Sequence, residues 1–428
     1  MKNKLRILTI FLLSIQIGYS QTYVSGGIFA NTIWTQTNSP YIITGDVVVF
    51  PGVSLIIQPG VIIKFEDNIK MEIRQSSLIA EGNVINPIVF TSNNLNPYKG
   101  IWRYIEVNQS TNIQIRNCEF RYANTALTGQ GNSLSVVSST FTDNIMGMDA
   151  QSNNYIRIDS STFRNNKTGQ SLQPGYSMSI TNCAYLKNET GLYAQSGCSV
   201  INCVIDSNSV YGLLKHMSCN DTIRDNEIKY NGTGIANDYS GCGGTVYIHN
   251  NEIENNSVGI LLDNMGGVQE FNIYNNSVCA NSTYNFQNLT TFNINAANNC
   301  WCSNDLSYIQ STIYDAYDKI SYGIVTYYPI DTVLCPVYLT GVANDTKHKT
   351  YNFYPNPFKT KAKLQLENPK SDNYTLTIFN SLGQPVRKIS NIVTDNIVIE
   401  KQDLSSGLFL FQLRSDKKID ATGKFIID

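Results

Sequence analysis

Glu227 and Glu252 occupy the same place in two segments that read alike, DTIRDNEI and VYIHNNEI. Two carboxylates held side by side can work as an acid/base pair on a polymer. Asp225 and Glu254 belong to the same outer face, with Arg224 and Lys229 near them, and Arg224 joins Glu227 and Glu252 as a catalytic candidate. Asp238 and Asp263 form a second equivalent pair. Stacked carboxylates of this kind suit Ca²⁺, which takes several oxygen ligands; no other cofactor is implied. The competing reading is a solvated polar face, with Lys and Arg relieving the repulsion at little cost.

Aromatic side chains are the other candidates. Tyr247 and Tyr274 fall at outward positions of neighbouring segments, and Trp102 with Tyr104 on an earlier one. Their faces could stack on sugar rings, although isolated surface aromatics need no function. His216, His249 and His348 are too scattered to assign a metal or a base.

The elements that must position these residues come from a repeat. Between residues 113 and 299 one motif recurs as IQIRNCEF, LSVVSSTF, IRIDSSTF, MSITNCAY, CSVINCVI, DTIRDNEI, VYIHNNEI, FNIYNNSV and FNINAANN. Its third residue is Ile115, Val136, Ile158, Ile180, Val200, Ile223, Ile248, Ile273 and Ile294, at steps of 20 to 25 residues. Apolar positions alternate within each segment, which is the period of a strand and not of a helix. Counting from the third residue, the position five later (Phe120, Phe141, Phe163, Tyr185, Ile205, Ile228, Ile253, Val278) should point inward from a second short strand.

Three further columns fix the register. Three residues after the reference stand Cys118, Ser139, Ser161, Cys183, Cys203, Asn226, Asn251, Asn276 and Ala297, small groups that fit an inward corner. Eight after it stand Asn144, Asn166, Asn188, Asn208, Asn231, Asn256 and Asn281; Asn bonds its neighbours in turns, and stacked Asn side chains form ladders. Gly147, Gly169, Gly191, Gly212, Gly234 and Gly259 follow, where a left-handed or crowded turn needs glycine. A chain that returns on itself about every 22 residues with three short strands is a parallel β-helix. YIITGDVVVF, GVSLIIQPGVIIKF, SLIAEG, PIVFTS and GIWRYIEV extend the stack to about a dozen coils at the spacing of parallel strands.

The chain has 428 residues, of which 15% are charged, with a formal net charge of −2. That charge content is well below the usual quarter, and it argues against nucleic acid, whose phosphates need a basic face. Lys2, Lys4 and Arg6, the apolar run 7–17, and small Gly18 and Ser20 before Gln21 read as a signal peptide over 1–20. No later run is long enough to span a membrane. Ten cysteines in an exported chain permit disulfides. Cys279 with Cys300, Cys198 with Cys219, and Cys302 with Cys335 are the candidate pairs, and their connectivity stays open.

Two stretches carry a family resemblance. Residues 43–65, ITGDVVVFPGVSLIIQPGVIIKF, resemble the opening coils of right-handed β-helix proteins. NNCWCSND (Asn298 to Asp305), with IYDAYD and GIVTYYP, resembles the closing segment of pectate-lyase-like β-helix repeat proteins, so the β-helix is placed at 21–338. After a polar linker, 339–352, come YPNPF (Tyr354, Pro355, Asn356, Pro357, Phe358), YTLTIFNSLGQPV with Gly383, DLSSGLFLFQL with Gly407, and GKFII. Alternating strands broken by such turns predict a small Ig-like β-sandwich. As a set these motifs resemble a type A sorting domain of the type IX secretion system, over 353–428.

That resemblance implies a Bacteroidota-type bacterium, export to the cell surface or medium, and partners in the export machinery and surface lipopolysaccharide. The fold alone does not license catalysis. The NTD, GHG and RIK set of polygalacturonases and the vWiDH and RxPxxR patterns of pectate lyases are missing from this chain. The expectation is therefore a non-catalytic adhesin or glycan-interacting scaffold. A polysaccharide lyase or glycoside hydrolase working along the β-helix face is the alternative, and a part in gliding or surface-layer assembly a third.

Overall fold

A computed structural model describes residues 21–110, 112–131, 133–151, 155–173, 178–195, 197–217, 221–240, 244–263, 270–332, 352–365, 373–380, 385–394, 396–415 and 419–428. The proposed signal peptide, the greater part of the linker and Gly383 lie outside these residues. The chain divides into two compact units, up to residue 339 and from 340 onward.

The first unit is a parallel β-solenoid. One coil shows the pattern: strands Tyr155–Asp159, Thr162–Arg164 and Thr168–Leu172 each pair in parallel with their counterparts one coil on. The first strands build an 11-stranded sheet, and the second and third build two further stacks joined near the amino end through Tyr41–Val49. Ile158, Ile180 and Val200 stand directly over one another and are fully buried. Stacking like on like packs the narrow interior closely, as the repeat requires.

The second strands stack rings. Phe90, Phe120, Phe141, Phe163 and Tyr185 lie nearly parallel, with successive centroids 4.7, 4.7, 4.8 and 5.1 Å apart. Beside them runs the asparagine ladder. Asn188 Oδ1 accepts from the backbone N–H of Asn166 at 2.9 Å and from its Nδ2 at 3.1 Å, while Asn188 Nδ2 donates to the Phe163 carbonyl at 3.0 Å. The ladder runs from Asn144 to Asn281, and a second one, Asn226–Asn251–Asn276–Asn299, takes over the inward corner.

Left-handed backbone falls one residue before each ladder position. Asn182 (φ 56°) and Lys187 (φ 55°) precede Cys183 and Asn188. The column glycines meet the other requirement, close approach: a Cβ on Gly169 would lie 2.4 Å from the carbonyl oxygen of Gly191 on the next coil.

In the last coil the predicted column slips. Asn276 bonds to Asn299 and not to the position of Ala297, because two extra residues separate the reference Ile294 from the corner. The unit ends in a short helix, Leu306–Ser311, whose amino end is capped by Asp305.

The second unit is a small all-β domain. Its antiparallel sheets have three strands (Asn352–Tyr354, Lys361–Gln365, Asn396–Glu400) and four (Pro385–Ile392, Tyr374–Phe379, Gly407–Ser415, Ile419–Ile427). Phe353, Phe358, Phe409, Phe411 and Phe425 cluster in its core.

Candidate functional site

Strand register places the acidic candidates as the repeat implies, and adds their counter-charge. Glu227 pairs with Glu252 on the next coil, and Lys229 with Glu254. Lys229 Nζ lies 2.6 Å from Glu252, 3.2 Å from Glu227 and 3.8 Å from Glu254. Burial alone would push the Lys229 ammonium down, but Glu252 and then Glu227 outweigh it and hold it above its ordinary value. Arg224 is ion-paired with Asp225 beside it. One lysine thus serves three carboxylates on this face.

Asp263 is exposed, and its N–H donates to the Asn237 carbonyl at 3.3 Å. The side chain of Asp238 lies outside the described residues. Among the described residues, the one group of three or more metal-type side chains is Cys279, Cys300 and Cys302.

Trp102 is not an outward platform. It is fully buried, stacked 4.3 Å over Phe65, and its indole N–H donates to the Arg121 carbonyl at 2.8 Å. The segment before it breaks the regular period, so both Ile101 and Trp102 turn inward. Tyr247 is outward and 39% exposed. Tyr274 pairs with His249, not with Tyr247, and stacks on it at 5.0 Å and 3°. That stack covers one ring face that a sugar would need.

The cysteines require two corrections. Cys279 is bonded to Cys302, not to Cys300, and so Cys302 is not available to Cys335. The reason is the same two-residue slip: Ser277 lies opposite Cys300, which sets Cys302 opposite Cys279. Cys300 is disulfide-bonded as well, with its Sγ 3.8 Å from that of Cys279. Cys198 is a buried free thiol, so it is not paired with Cys219, which itself lies outside the described residues. Its side chain faces the solenoid interior, and burial pushes the thiol up to about 11.

A polar cluster that the repeat did not predict lies on the third-strand face of the early coils. Register sets Val48, Glu72 and Glu106 in one column and Arg74 beside Asn108 in the next. Glu72, 4% exposed, takes Arg74 Nε and Nη2 at 2.6 and 2.8 Å and Asn108 at 3.2 Å. Lys70 Nζ reaches Glu106 at 3.3 Å and Glu72 at 3.5 Å. The Arg74 guanidinium, against burial, holds the Glu72 carboxyl down at about 2. Arg103 donates to the Tyr104 hydroxyl at 2.8 Å and lies over its ring at 4.9 Å, with Lys70 at 5.6 Å.

The fixed period hid this cluster because Glu72 and Glu106 are 34 residues apart, well outside the 20 to 25 of the later coils. A signal was present in the two-residue alternation of Lys70, Glu72 and Arg74, and of Tyr104, Glu106 and Asn108, which puts each trio on one face.

In the second unit the YPNPF motif clamps the chain end. Asn356 Oδ1 accepts the Ile426 N–H at 2.8 Å, Phe358 N–H donates to the Ile426 carbonyl at 3.1 Å, and Asp428 N–H donates to the Phe358 carbonyl at 2.9 Å. Phe358 is buried, whereas Tyr354 is 77% exposed. Gly407 opens its strand at φ +142°, a conformation other residues rarely adopt.

Comparison with known proteins agrees with both units. The family described as right handed beta helix region matches residues 103–242 and 179–278, and the secretion system C-terminal sorting domain family matches residues 352–428. The chain is thus a right-handed parallel β-helix protein that carries a C-terminal type IX sorting domain, and it is exported by that system to the cell surface or secreted. Among solved structures it is similar to the A-module of the mannuronan C-5 epimerase AlgE4 of Azotobacter vinelandii, at 16% identity and a TM-score of 0.29, over 60% of this chain and 90% of that one. No curated protein matches.

Proposed function

We propose that the chain is a non-catalytic adhesin or glycan-interacting scaffold, delivered by the type IX system and presenting its solenoid faces to extended polysaccharide. The observation that carries this reading is the ion pairing of the outward carboxylates. Lys229 answers Glu227, Glu252 and Glu254, and Arg74 and Lys70 answer Glu72. A glycosidase acid must instead be held protonated near neutral pH. The described carboxylates displaced from their ordinary values, Glu72, Asp159 and Asp403, are all displaced downward. Repeated polar columns on a solenoid suit a repeating polymer. Incubating the mature chain with acidic and neutral polysaccharides tests the reading: co-sedimentation without new reducing ends or ultraviolet-absorbing products is expected. Product formation abolished by Glu252→Ala would overturn it.

One observation favours the enzymatic alternative, a polysaccharide lyase or hydrolase, with Ca²⁺ at Asp238 and Asp263 as an optional aid. Tyr104 carries a guanidinium donor at 2.8 Å and stands beside Lys70 and Glu106 on one face. A phenol so placed can exchange a proton with a sugar carbon or leaving oxygen. Product formation lost in Tyr104→Phe but retained in Glu252→Ala would select this reading.

A further inference from the structure

Cys183 and Cys203 are held opposite one another from both sides. Thr181 pairs with Ile201 before them and Ala184 with Val204 after them, each exactly one coil of 20 residues apart. Both side chains are 1% exposed at the inward corner, each with its Sγ–H on the carbonyl two residues before it, Thr181 at 3.2 Å and Ile201 at 3.4 Å. Consecutive parallel strands lie about 4.8 Å apart, within the Cα separation of about 4.4–6.8 Å that a disulfide spans. The molecule uses this arrangement elsewhere: Cys279 and Cys302, also opposed on consecutive coils, are bonded at a Cα separation of 5.6 Å.

From this geometry we infer that Cys183 and Cys203 are a second coil-to-coil disulfide site, closed by a disulfide oxidant during export. Both are free thiols in the structure, and an exported chain passes through compartments where disulfides form and persist. The oxidant is a low-molecular-weight or protein disulfide. One cysteine thiolate attacks a sulfur of that disulfide and expels the other sulfur as a thiolate. The second cysteine thiolate then attacks the mixed disulfide, the Cys183–Cys203 bond forms, and the oxidant leaves fully reduced. Two protons and two electrons pass from the cysteine pair to the oxidant. Both side chains are buried in the folded coil, so the bond closes before the coil is fully packed and is then shielded from reductant.

The test is peptide mapping of the mature chain, unfolded with an alkylating agent and no reductant, before and after refolding with oxidised glutathione. A cross-linked peptide joining Cys183 to Cys203, two hydrogens lighter than its parts and separated by reductant, is the expected result. Recovery of both peptides singly alkylated in both samples would overturn the inference, as would a cross-link of either one to Cys198. Cys203→Ser supplies the control, because Ser139 and Ser161 already occupy this column. In that variant Cys183 should become alkylated without reductant, while the Cys279–Cys302 peptide stays linked.

Discussion

Asn356 receives the backbone N–H of Ile426 at 2.8 Å, across 70 residues of sequence. The sorting domain therefore ties its first motif to its last strand, and Phe358 completes the clamp by packing on Phe425 at 5.8 Å. Phe358→Ala should destabilise the domain by about 3–5 kcal/mol, and Asn356→Ala, whose hydrogen bond is exposed, by about 0.5–1.5 kcal/mol. Both should lower the amount of chain reaching the medium or cell surface, in that order, as measured by immunoblot of cell fractions. Normal export of Phe358→Ala would show that the clamp is not what the machinery needs intact.

Acid should weaken the early coils through Glu72. Its carboxyl is held at about 2, below the ordinary 4.5, so its stabilisation is complete above the ordinary value and lost as pH falls toward 2. The stake is on the order of 3 kcal/mol. Urea unfolding at a series of pH values should show wild type losing stability between pH 5 and 2. Glu72→Gln should be less stable at pH 7 and flatter across that window.

Each asparagine in the ladder accepts two donors from the asparagine one coil before it and donates to the one after it, as Asn188 does between Asn166 and Asn208. Asn188→Leu removes the acceptor for both Asn166 groups and leaves them buried, a cost of about 2–4 kcal/mol in thermal or urea unfolding. Gly169→Ala forces a Cβ against the Gly191 carbonyl and should cost about 1–3 kcal/mol. A Gly169→Ala protein with unchanged melting would disprove the crowding argument.

Lys215 and Asp221 form a fully buried ion pair at 2.9 Å inside the solenoid. Lys215→Met strands the carboxylate and should cost about 3–5 kcal/mol, whereas Lys215→Met with Asp221→Leu should recover most of that loss. Chemical denaturation of the single and double variants measures the difference. Equal destabilisation in both would mean that the pair is not coupled.

The coil was legible in the sequence because a solenoid repeats its physics. Every interior position meets its own kind one coil away, so the spacing of Ile158, Ile180 and Val200 already dictated parallel stacking. The asparagine and glycine columns were legible for the same reason: one supplies the ladder, the other the space for it. The YPNPF end was readable because its motif is local.

Register away from the strict period was decided only in three dimensions. Two extra residues before Asn299 exchange Cys300 for Cys302 as the partner of Cys279, and no count from Ile294 reveals where the chain absorbs them. Across the 34 residues from Glu72 to Glu106 the coil bulges, so Trp102 turns inward while Tyr104, Lys70 and the acids meet outside. Alternation along a strand is a property of the chain itself. Which residue it lies against depends on how much backbone each turn consumes, and that is settled by packing.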